Sequence, residues 1–596
     1  MATTSGSTAS VSLTTAFIDL STFDEIECWL YGGKSVNRFR KVIRKSAWFT
    51  VIAAQLNRCG TTGDFDLEMQ SMFSRAGDYI RDVWLRAELP EVQARPGWQV
   101  RWTRNIGHNL IQEAYLQFND LTVNKLTSFH LDFLRAFLIP EGKMNGYDNM
   151  IGNIPILTNP YAEYSALANE AITAAGGVRL PRHPLNIPLP FYFTRDPHDA
   201  IIQAACPFND IRVTIKFRAW RDLLIVDRIN TDQDVRNGKS MTEPAAGQSQ
   251  IEDALVSTNL HLAGVQVWGH YVVIPNGDRE KVGEEDNIDT VIEQVQTIPI
   301  SQMSPLSQPQ RGVDLRFAHS IRALFFAMRN TTIPSEFSNY STHVPIGFPN
   351  VPGIAFRPIG STDPIARAIL SYENVDRVNM PADYYTMVAP YYSAVRIPSE
   401  TGYHLLSYAN RLAGFGTGEA LQPDGSTNFA RLALVNLNVE CSPACIRQAS
   451  PVSQLPANTP LWDADYHTAP ATFDLIITAS SLSILRFSAG SAGSAVVFSN
   501  MHAYHCHIVP RPLGCHRASP FFLCLPHSKP GWCKEKQTTC RRTMSLSHLK
   551  NSPIKRANGG NSKNFHIRMI LLLPWLWHQT GCQVWAWASV PWTHHV

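Results

Sequence analysis

The stretch at residues 211–219 restricts the fold of this chain more than any other part of the sequence. Apolar residues occupy every second position, and polar ones stand between them: Ile211, Arg212, Val213, Thr214, Ile215, Lys216, Phe217, Arg218 and Ala219. Because successive side chains of a strand point to opposite faces, this alternation predicts a half-buried antiparallel strand and not a helix. A second strand-like run at 260–274 follows a polar stretch, so we predict two large β domains in tandem.

Further strand-like segments recur along the chain and are bounded by turn-forming residues. They lie at 48–56, 66–73, 79–89, 99–102, 116–118, 313–317, 323–329, 403–408, 430–439 and 471–487. The capping pattern TFDE at 22–25 predicts a short helix over 23–31, and 130–138 is a second helical candidate. The segments 333–365 and 375–400 are predicted to be long loops. Many strands joined by long polar connections favour β-sandwiches.

These segments divide the chain into five predicted parts. Residues 1–47 form an N-terminal arm with the short helix, 48–226 a first sandwich, 227–258 a polar linker and 259–500 a second sandwich. The remaining residues, 501–596, carry twelve Lys and Arg but a single acid, Glu535, and hold six of the eleven Cys. This basic tail rich in Cys, His and Trp shows no hydrophobic periodicity, so we predict that it is not a folded domain.

Composition favours a protein that is covered by partners. Charged residues make up 17% of the chain, against roughly 25% in ordinary soluble domains. Interface cores are poor in Lys, Glu and Asp, so the deficit favours an assembly, with a low-charge monomer as the alternative. Five cysteines in 500 residues are too few for a disulfide framework, and the N-terminus lacks the pattern of a signal peptide. We therefore expect synthesis in the cytosol without membrane insertion.

A search for reactive groups predicts no catalytic, cofactor-binding or metal-binding residue. The sequence lacks the nucleophile elbow, the His-Glu-x-x-His helix and the phosphate-binding loop. The Cys441 and Cys445 pair has no second pair at zinc-site spacing. The histidines of the two sandwiches are isolated from one another: His108, His130, His183, His198, His261, His270, His319, His343 and His404. Since a lone histidine is far more often structural than a ligand, we expect no enzyme.

Two short patterns leave alternatives open. The basic segment RFRKVIRK at 38–45 suits nucleic-acid phosphates, a neighbouring subunit or an anionic membrane surface. We expect no specific nucleic-acid partner. Asn330 and Asn339 match the glycosylation pattern, and without a secretory signal we expect both to be unmodified.

Ten longer motifs carry a family resemblance that runs from about residue 17 to about residue 498. They are FIDL (17–20), TFDE (22–25), RAGDY (75–79), RWTRN (101–105), GYDNMIGN (146–153), VQVWG (265–269), IEQVQT (292–297), ALFFAMRNTTIP (323–334), IPSETGYH (397–404) and GSTNF (425–429). In these motifs and their order the chain resembles the major capsid proteins of iridoviruses, within the nucleocytoplasmic large DNA viruses. The tail at 501–596 has no counterpart in that resemblance.

The resemblance implies an all-β fold of two tandem eight-stranded jelly rolls, with short helices in the loops. It implies a structural protein of the virion, synthesised and assembled in the host cytoplasm. Three copies would form a pseudo-hexagonal capsomer, and capsomers would tile an icosahedral shell around an internal lipid membrane. The implied partners are further copies of the chain, minor capsid and penton proteins, and the inner membrane, which the N-terminal arm would contact. The alternatives are a jelly-roll carbohydrate-binding module and a glycan hydrolase.

Overall fold

A computed structural model gives the fold of the chain. With short gaps, it describes residues 46–158, 179–229, 242–342, 363–415, 423–451 and 470–498, and a few positions between 17 and 41. The chain divides into two units, residues 1–500 and 501–596. The second unit, the predicted helix at 23–31 and almost all of the basic segment at 38–45 lie outside the described residues. All structural statements below therefore concern the first unit.

The strands before residue 275 form the first sandwich and its smaller accessory sheets. They are β1 (Thr50–Gln55), β2 (Asn57–Cys59), β3 (Glu68–Met72), β4 (Tyr79–Leu89), β5 (Val92–Gln93), β6 (Trp98–Trp102), β7 (Ile111–Phe118), β8 (Leu121–Thr127), β9 (Arg179–Leu180), β10 (His183–Pro188), β11 (Ile201–Ile202), β12 (Ile211–Phe217), β13 (Leu224–Ile229), β14 (Thr242–Pro244) and β15 (Ala263–Val273).

The first sandwich has two antiparallel sheets. One runs in the order β1-β15-β4-β10, with β11 also paired to β4, and the other runs β2-β3-β12-β7-β8. The strand predicted at 211–219 is β12, which lies at the centre of the second sheet. Ile211, Val213, Ile215 and Phe217 are buried there as predicted, while Lys216 is exposed. Thr214 is also buried, because it donates to Gln117 on the neighbouring strand.

The strands after residue 286 form the second sandwich. They are β16 (Asn287–Thr297), β17 (Ser301–Met303), β18 (Gln310–Asp314), β19 (Ser320–Asn330), β20 (Ile365–Tyr372), β21 (Val375–Pro381), β22 (His404–Ser407), β23 (Thr427–Asn428), β24 (Val435–Cys441), β25 (Phe473–Gly490) and β26 (Gly493–Phe498). One sheet runs β16-β25-β19-β22 and the facing sheet runs β18-β24-β20-β21. Buried apolar side chains fill the space between them.

Short helices lie in the connections between strands. They are α1 (Ile106–Leu110), α2 (Ser128–Phe137), α3 (Glu141–Ile151), α4 (Pro155–Thr158), α5 (Trp220–Leu223), α6 (Gln248–Ala254), α7 (Asn276–Gly283), α8 (Ala389–Ser393) and α9 (Pro443–Ala449). A five-residue π-helical segment, Tyr384–Val388, leads directly into α8. The predicted helix at 130–138 corresponds to α2. Every residue of α2 is buried, because the helix packs between the two sandwiches.

Three features of the structure differ from the sequence analysis. The strand predicted at 260–274, placed there in the second sandwich, pairs as β15 with β1 and β4 of the first. The predicted linker at 227–258 contains a strand pair, β13 with β14, and the helix α6, whose Ile251 and Ala254 are buried. The predicted loop at 375–400 contains β21, the π-helical segment and α8. In the second and third cases a local polar composition concealed elements that tertiary contacts stabilise, whereas the strand at 260–274 was predicted as a strand but assigned to the wrong sandwich.

Candidate functional site: the joint between the sandwiches and the exposed edge

A buried carboxylate joins the two sandwiches at their centre. Asp132 on α2 accepts hydrogen bonds from four groups: Asn105 (3.0 Å), His108 (2.8 Å), Ser338 (2.6 Å) and Tyr340 (3.1 Å). The first two donors belong to the first sandwich, and the last two belong to the segment after β19 in the second. A buried carboxylate with several donors is strongly held. The position of one sandwich relative to the other is therefore fixed by directional bonds.

An ion pair forms a second polar contact across the joint. Arg195 of the first sandwich lies 2.5 Å from Glu293 on β16, and Ser480 also donates to Glu293. Burial by itself would raise the pKa of Glu293, but Arg195 and Arg322 outweigh burial and lower it. Burial also lowers the pKa of the Arg195 guanidinium. Both groups stay charged, so removal of either would leave a buried charge without its partner.

Aromatic packing of α2 against β19 completes the joint. The ring of Phe133 stacks on Phe325 at a centroid distance of 5.7 Å, and Phe137 lies 5.9 Å from the same ring. His130 meets Phe325 edge-on at 5.7 Å, and its Nδ1 lies 3.3 Å from Thr478 Oγ1 on β25. Burial lowers the pKa of His130 to about 4. This imidazole is therefore neutral at physiological pH and serves as a packing group.

Several other histidines named from the sequence have local structural partners, while His343 lies outside the described residues. His261 and His270 lie beside Asp64 and Asp82, at 2.6 and 2.9 Å. His404 lies 3.1 Å from Asp363, stacked on a phenylalanine ring. Within the part of the chain that the structure describes, no group of three or more His, Cys, Asp and Glu residues could hold a metal ion. The described members of the predicted set of isolated histidines are therefore not gathered into a metal site.

The cysteine pair and the two asparagines of the glycosylation pattern are also buried. Cys441 ends β24 and Cys445 lies on α9, both as buried free thiols. Asn330 and Asn339 are 1% and 5% exposed, and the side-chain oxygen of each accepts from a residue two positions later. Their burial leaves no room for a bulky glycan on either side chain in this fold. The side chains of Asn330 and Asn339 therefore stabilise turns.

Four exposed apolar side chains of the first sandwich lie along one edge. Trp48 is 83% exposed and Phe49 56%, and they lead into β1, where Val51 and Ile52 are exposed as well. In the described part of the chain β1 pairs only with β15 and has no strand on its other side. We call Trp48, Phe49, Val51 and Ile52 the exposed edge. Edge strands with apolar side chains template pairing with another chain unless a partner covers them.

The second sandwich also presents apolar side chains to its surroundings. Tyr391 and Tyr392 on α8 are exposed, and so is Val388 in the preceding π-helical turn. The edge strand β21 exposes Val375 and Met380. Among the described residues, no helix is long and apolar enough to cross a membrane. These surfaces had no signal in the sequence analysis, because exposure depends on which strand becomes an edge.

Comparison with known proteins identifies the family. The profile of the major capsid protein N-terminus matches residues 37–274, and that of the large eukaryotic DNA virus major capsid protein matches residues 279–493. The chain is 39% identical to the major capsid protein of Wiseana iridescent virus over 496 residues, which cover 81% of this chain and 94% of that protein. The chain belongs to this family. The major capsid protein of Frog virus 3 is 32% identical over 81% of the chain.

Solved structures agree on the fold. VP54 of PBCV-1 superimposes with a TM-score of 0.57 at 17% identity, covering 78% of this chain and all of VP54. The Faustovirus major capsid protein gives 0.54 at 10% identity, covering 80% of this chain and 98% of that protein. The predicted fold of two tandem jelly rolls is confirmed. The relatives are structural proteins of capsids, and the prediction that the chain is not an enzyme is confirmed with them.

Proposed function

We propose that the chain forms homotrimeric, pseudo-hexagonal capsomers that tile an icosahedral shell around an internal lipid membrane. Two sandwiches fixed in one unit make each copy a pair of similar lobes, and three copies supply six. Minor capsid and penton proteins complete the proposed shell, which assembles in the host cytoplasm. The N-terminal arm is proposed to contact the membrane. Family membership supports the capsid role, and the geometry supports the trimer.

The exposed edge is the observation that carries the trimer. Four apolar side chains, two of them aromatic, lie next to unpaired backbone at the edge of a sheet. A stable monomer would cover or charge such an edge, whereas a second copy of the chain would bury it. Aromatic side chains are enriched in the cores of protein interfaces, where each contributes a large apolar area. The low content of charged residues fits the same arrangement.

Sedimentation of the full-length protein tests the proposal. We expect the wild type to sediment as a trimer and the double variant Trp48→Ser and Phe49→Ser to shift towards monomer or to aggregate. Leu306→Ser is the matched control, because Leu306 is an exposed apolar residue of the second sandwich, away from the edge. A wild-type protein that stays monomeric at micromolar concentration would refute the trimer. A trimer that survives the double variant would remove the exposed edge from its interface.

A further inference from the structure

A pocket of about 620 Å³ lies between the two sandwiches, apart from the exposed edge. We call it the junction pocket. The first sandwich contributes Thr127, Phe129 and Arg218 to its wall, and the second contributes Arg329 and Phe337. A cavity of this size accommodates a small molecule. Two of these wall residues, Arg218 and Arg329, place positive charges in the joint between the sandwiches.

Two arginines of the junction pocket flank the same aromatic ring. The Cζ atom of Arg218 lies 4.2 Å from the centroid of Phe337, and that of Arg329 lies 4.5 Å from it. Both guanidinium groups also face Phe129, at 5.9 and 5.7 Å. Arg329 is 7% exposed. Cation–π contacts partly stabilise each charge, but they do not neutralise it.

Neither guanidinium group forms an ion pair with a described residue. Arg218 donates to the Asn109 carbonyl (2.7 Å) and to Ser128 Oγ (2.8 Å), and Arg329 donates to the Pro334 carbonyl (2.8 Å). The buried Nε of Arg329 has no hydrogen-bond partner in the described part of the chain. Thr127 Oγ1, in the same wall, is a second buried polar atom without a partner there. The pocket therefore offers unused donors beside two positive charges.

The two charges oppose each other. Burial first, and then the charge of Arg329, lower the pKa of Arg218 to about 10. Burial likewise lowers the pKa of Arg329. Because arginine stays protonated in proteins, the joint holds two repelling cations. Nearby carboxylates offset part of this cost without forming an ion pair: Asp132 and Asp222 act to raise the pKa of Arg218, and Asp474, Glu336 and Asp132 act to raise that of Arg329. An anion bound between the two guanidinium groups would offset the rest.

Most carboxylates near the arginines are engaged elsewhere or stand at the pocket wall, and Asp474 lies in register with Arg329 on the neighbouring strand β25. Glu336 pairs with Arg101 at 3.5 Å. Asp132 already accepts four hydrogen bonds. Glu113 pairs with Lys125 at 2.7 Å. Asp66 and Asp222 line the pocket without an ion pair to either guanidinium. These wall carboxylates would repel a long polyanion, so the anion that fits is compact.

We propose that the junction pocket binds a phosphate-class dianion, either inorganic phosphate or a phosphate monoester, between Arg218 and Arg329. A phosphate dianion can accept hydrogen bonds from both guanidinium groups at once. The planar fork of arginine matches phosphate oxygens in two-point contacts. Thr127 Oγ1 adds a neutral donor at the same wall. Bound phosphate would then link the first sandwich to the second and stiffen their joint.

Calorimetric titration of the full-length protein in phosphate-free buffer tests this site. Inorganic phosphate and glycerol 3-phosphate are titrated separately at constant ionic strength, the monoester standing for a lipid headgroup. We expect saturable binding to the wild type, weakened at least about tenfold by Arg329→Gln. Arg377→Gln is the matched control, because Arg377 is an exposed arginine of β21. This variant should bind phosphate with the affinity of the wild type.

Each outcome decides the proposal. Tighter binding of inorganic phosphate assigns the site to the free ion, and tighter binding of the monoester assigns it to a headgroup. No saturable binding to the wild type overturns the site, and so does an equal response of the wild type and Arg329→Gln. Should Arg329→Gln change the sedimentation of the protein, Arg329→Lys keeps the charge and loses the fork. Wild-type affinity in Arg329→Lys would then overturn two-point recognition by Arg329.

Discussion

Acidification should weaken the joint between the sandwiches through His130. Burial lowers the pKa of this imidazole from 6.5 to about 4, so the unfolded chain binds a proton between these values and the folded chain does not. Stability therefore rises with pH across this window and is lost as pH falls through it. At about 1.4 kcal/mol per pKa unit, the loss is about 2 kcal/mol at pH 5 and about 3 kcal/mol at pH 4.

Urea unfolding at pH 7.5 and pH 5, followed by tryptophan fluorescence, measures this effect in the wild type and in His130→Gln. The variant removes the titrating group and keeps a polar side chain near Thr478. Asp199 acts in the opposite direction: burial raises its pKa to about 6, so its contribution is lost as pH rises through that value. The contribution of Asp199 cancels when the wild type is compared with His130→Gln, because both proteins contain Asp199.

We expect the free energy of unfolding to fall by about 2 kcal/mol more in the wild type than in His130→Gln. The matched control is His198→Gln, because the side chain of His198 is 86% exposed. This control should follow the wild type. An equal pH response in the wild type and His130→Gln would refute the assignment of the acid sensitivity to His130.

Two further changes test the joint. Glu293→Gln should cost about 3–5 kcal/mol, because Arg195 would be left buried without its partner. Asp289→Asn, which breaks an exposed pair with Arg486, should cost less than about 1 kcal/mol in the same urea assay. Gly402→Ala should sharply lower the yield of folded protein, because Gly402 has a φ of 92° and a Cβ there would collide with the Tyr340 carbonyl. Gly142→Ala, with open space around it, should fold normally.

Strands with a strong apolar pattern could be predicted from the sequence: β4 and β12 largely alternate, and β19 contains the continuous apolar run at 323–328. β4 lies at 79–89 as predicted, and β12 and β19 differ from their predictions by a few residues. Their apolar positions are buried, so the apolar pattern of the sequence and burial in the fold carry the same information. The family resemblance supplied the pairing of these strands into jelly rolls, because local patterns do not define which strands are neighbours.

The strand β16 shows why other elements were missed. Its eleven residues include Glu293, Gln294 and Gln296, which interrupt the apolar pattern. Gln294 donates to the Val123 carbonyl of the first sandwich, and Gln296 donates to Ser481 on β25. The polar side chains of β16 are thus satisfied by partners far away in sequence. A local sequence pattern cannot reveal such partners, so the polar joint could not be predicted from the sequence.

The same reasoning applies to the segment after β19. Residues 333–342 have the composition of a loop, yet Glu336, Ser338 and Tyr340 are almost completely buried. They reach Arg101 and Asp132 on the other side of the joint. A polar composition predicts exposure to solvent, whereas these polar residues pair across an interior surface. Buried polar groups require such partners, so their burial becomes intelligible only with both sandwiches in place.

The polar character of the joint has a consequence for assembly. Apolar surfaces alone tolerate small shifts, because the hydrophobic effect is not directional. Hydrogen bonds weaken steeply when their angles change, so the contacts of Asp132 and the Glu293 ion pair hold the two lobes at one angle. In the proposed capsomer, an angular error in one chain would be repeated three times and carried into every neighbouring capsomer. A joint made of directional bonds limits that error within each copy, before any two copies meet.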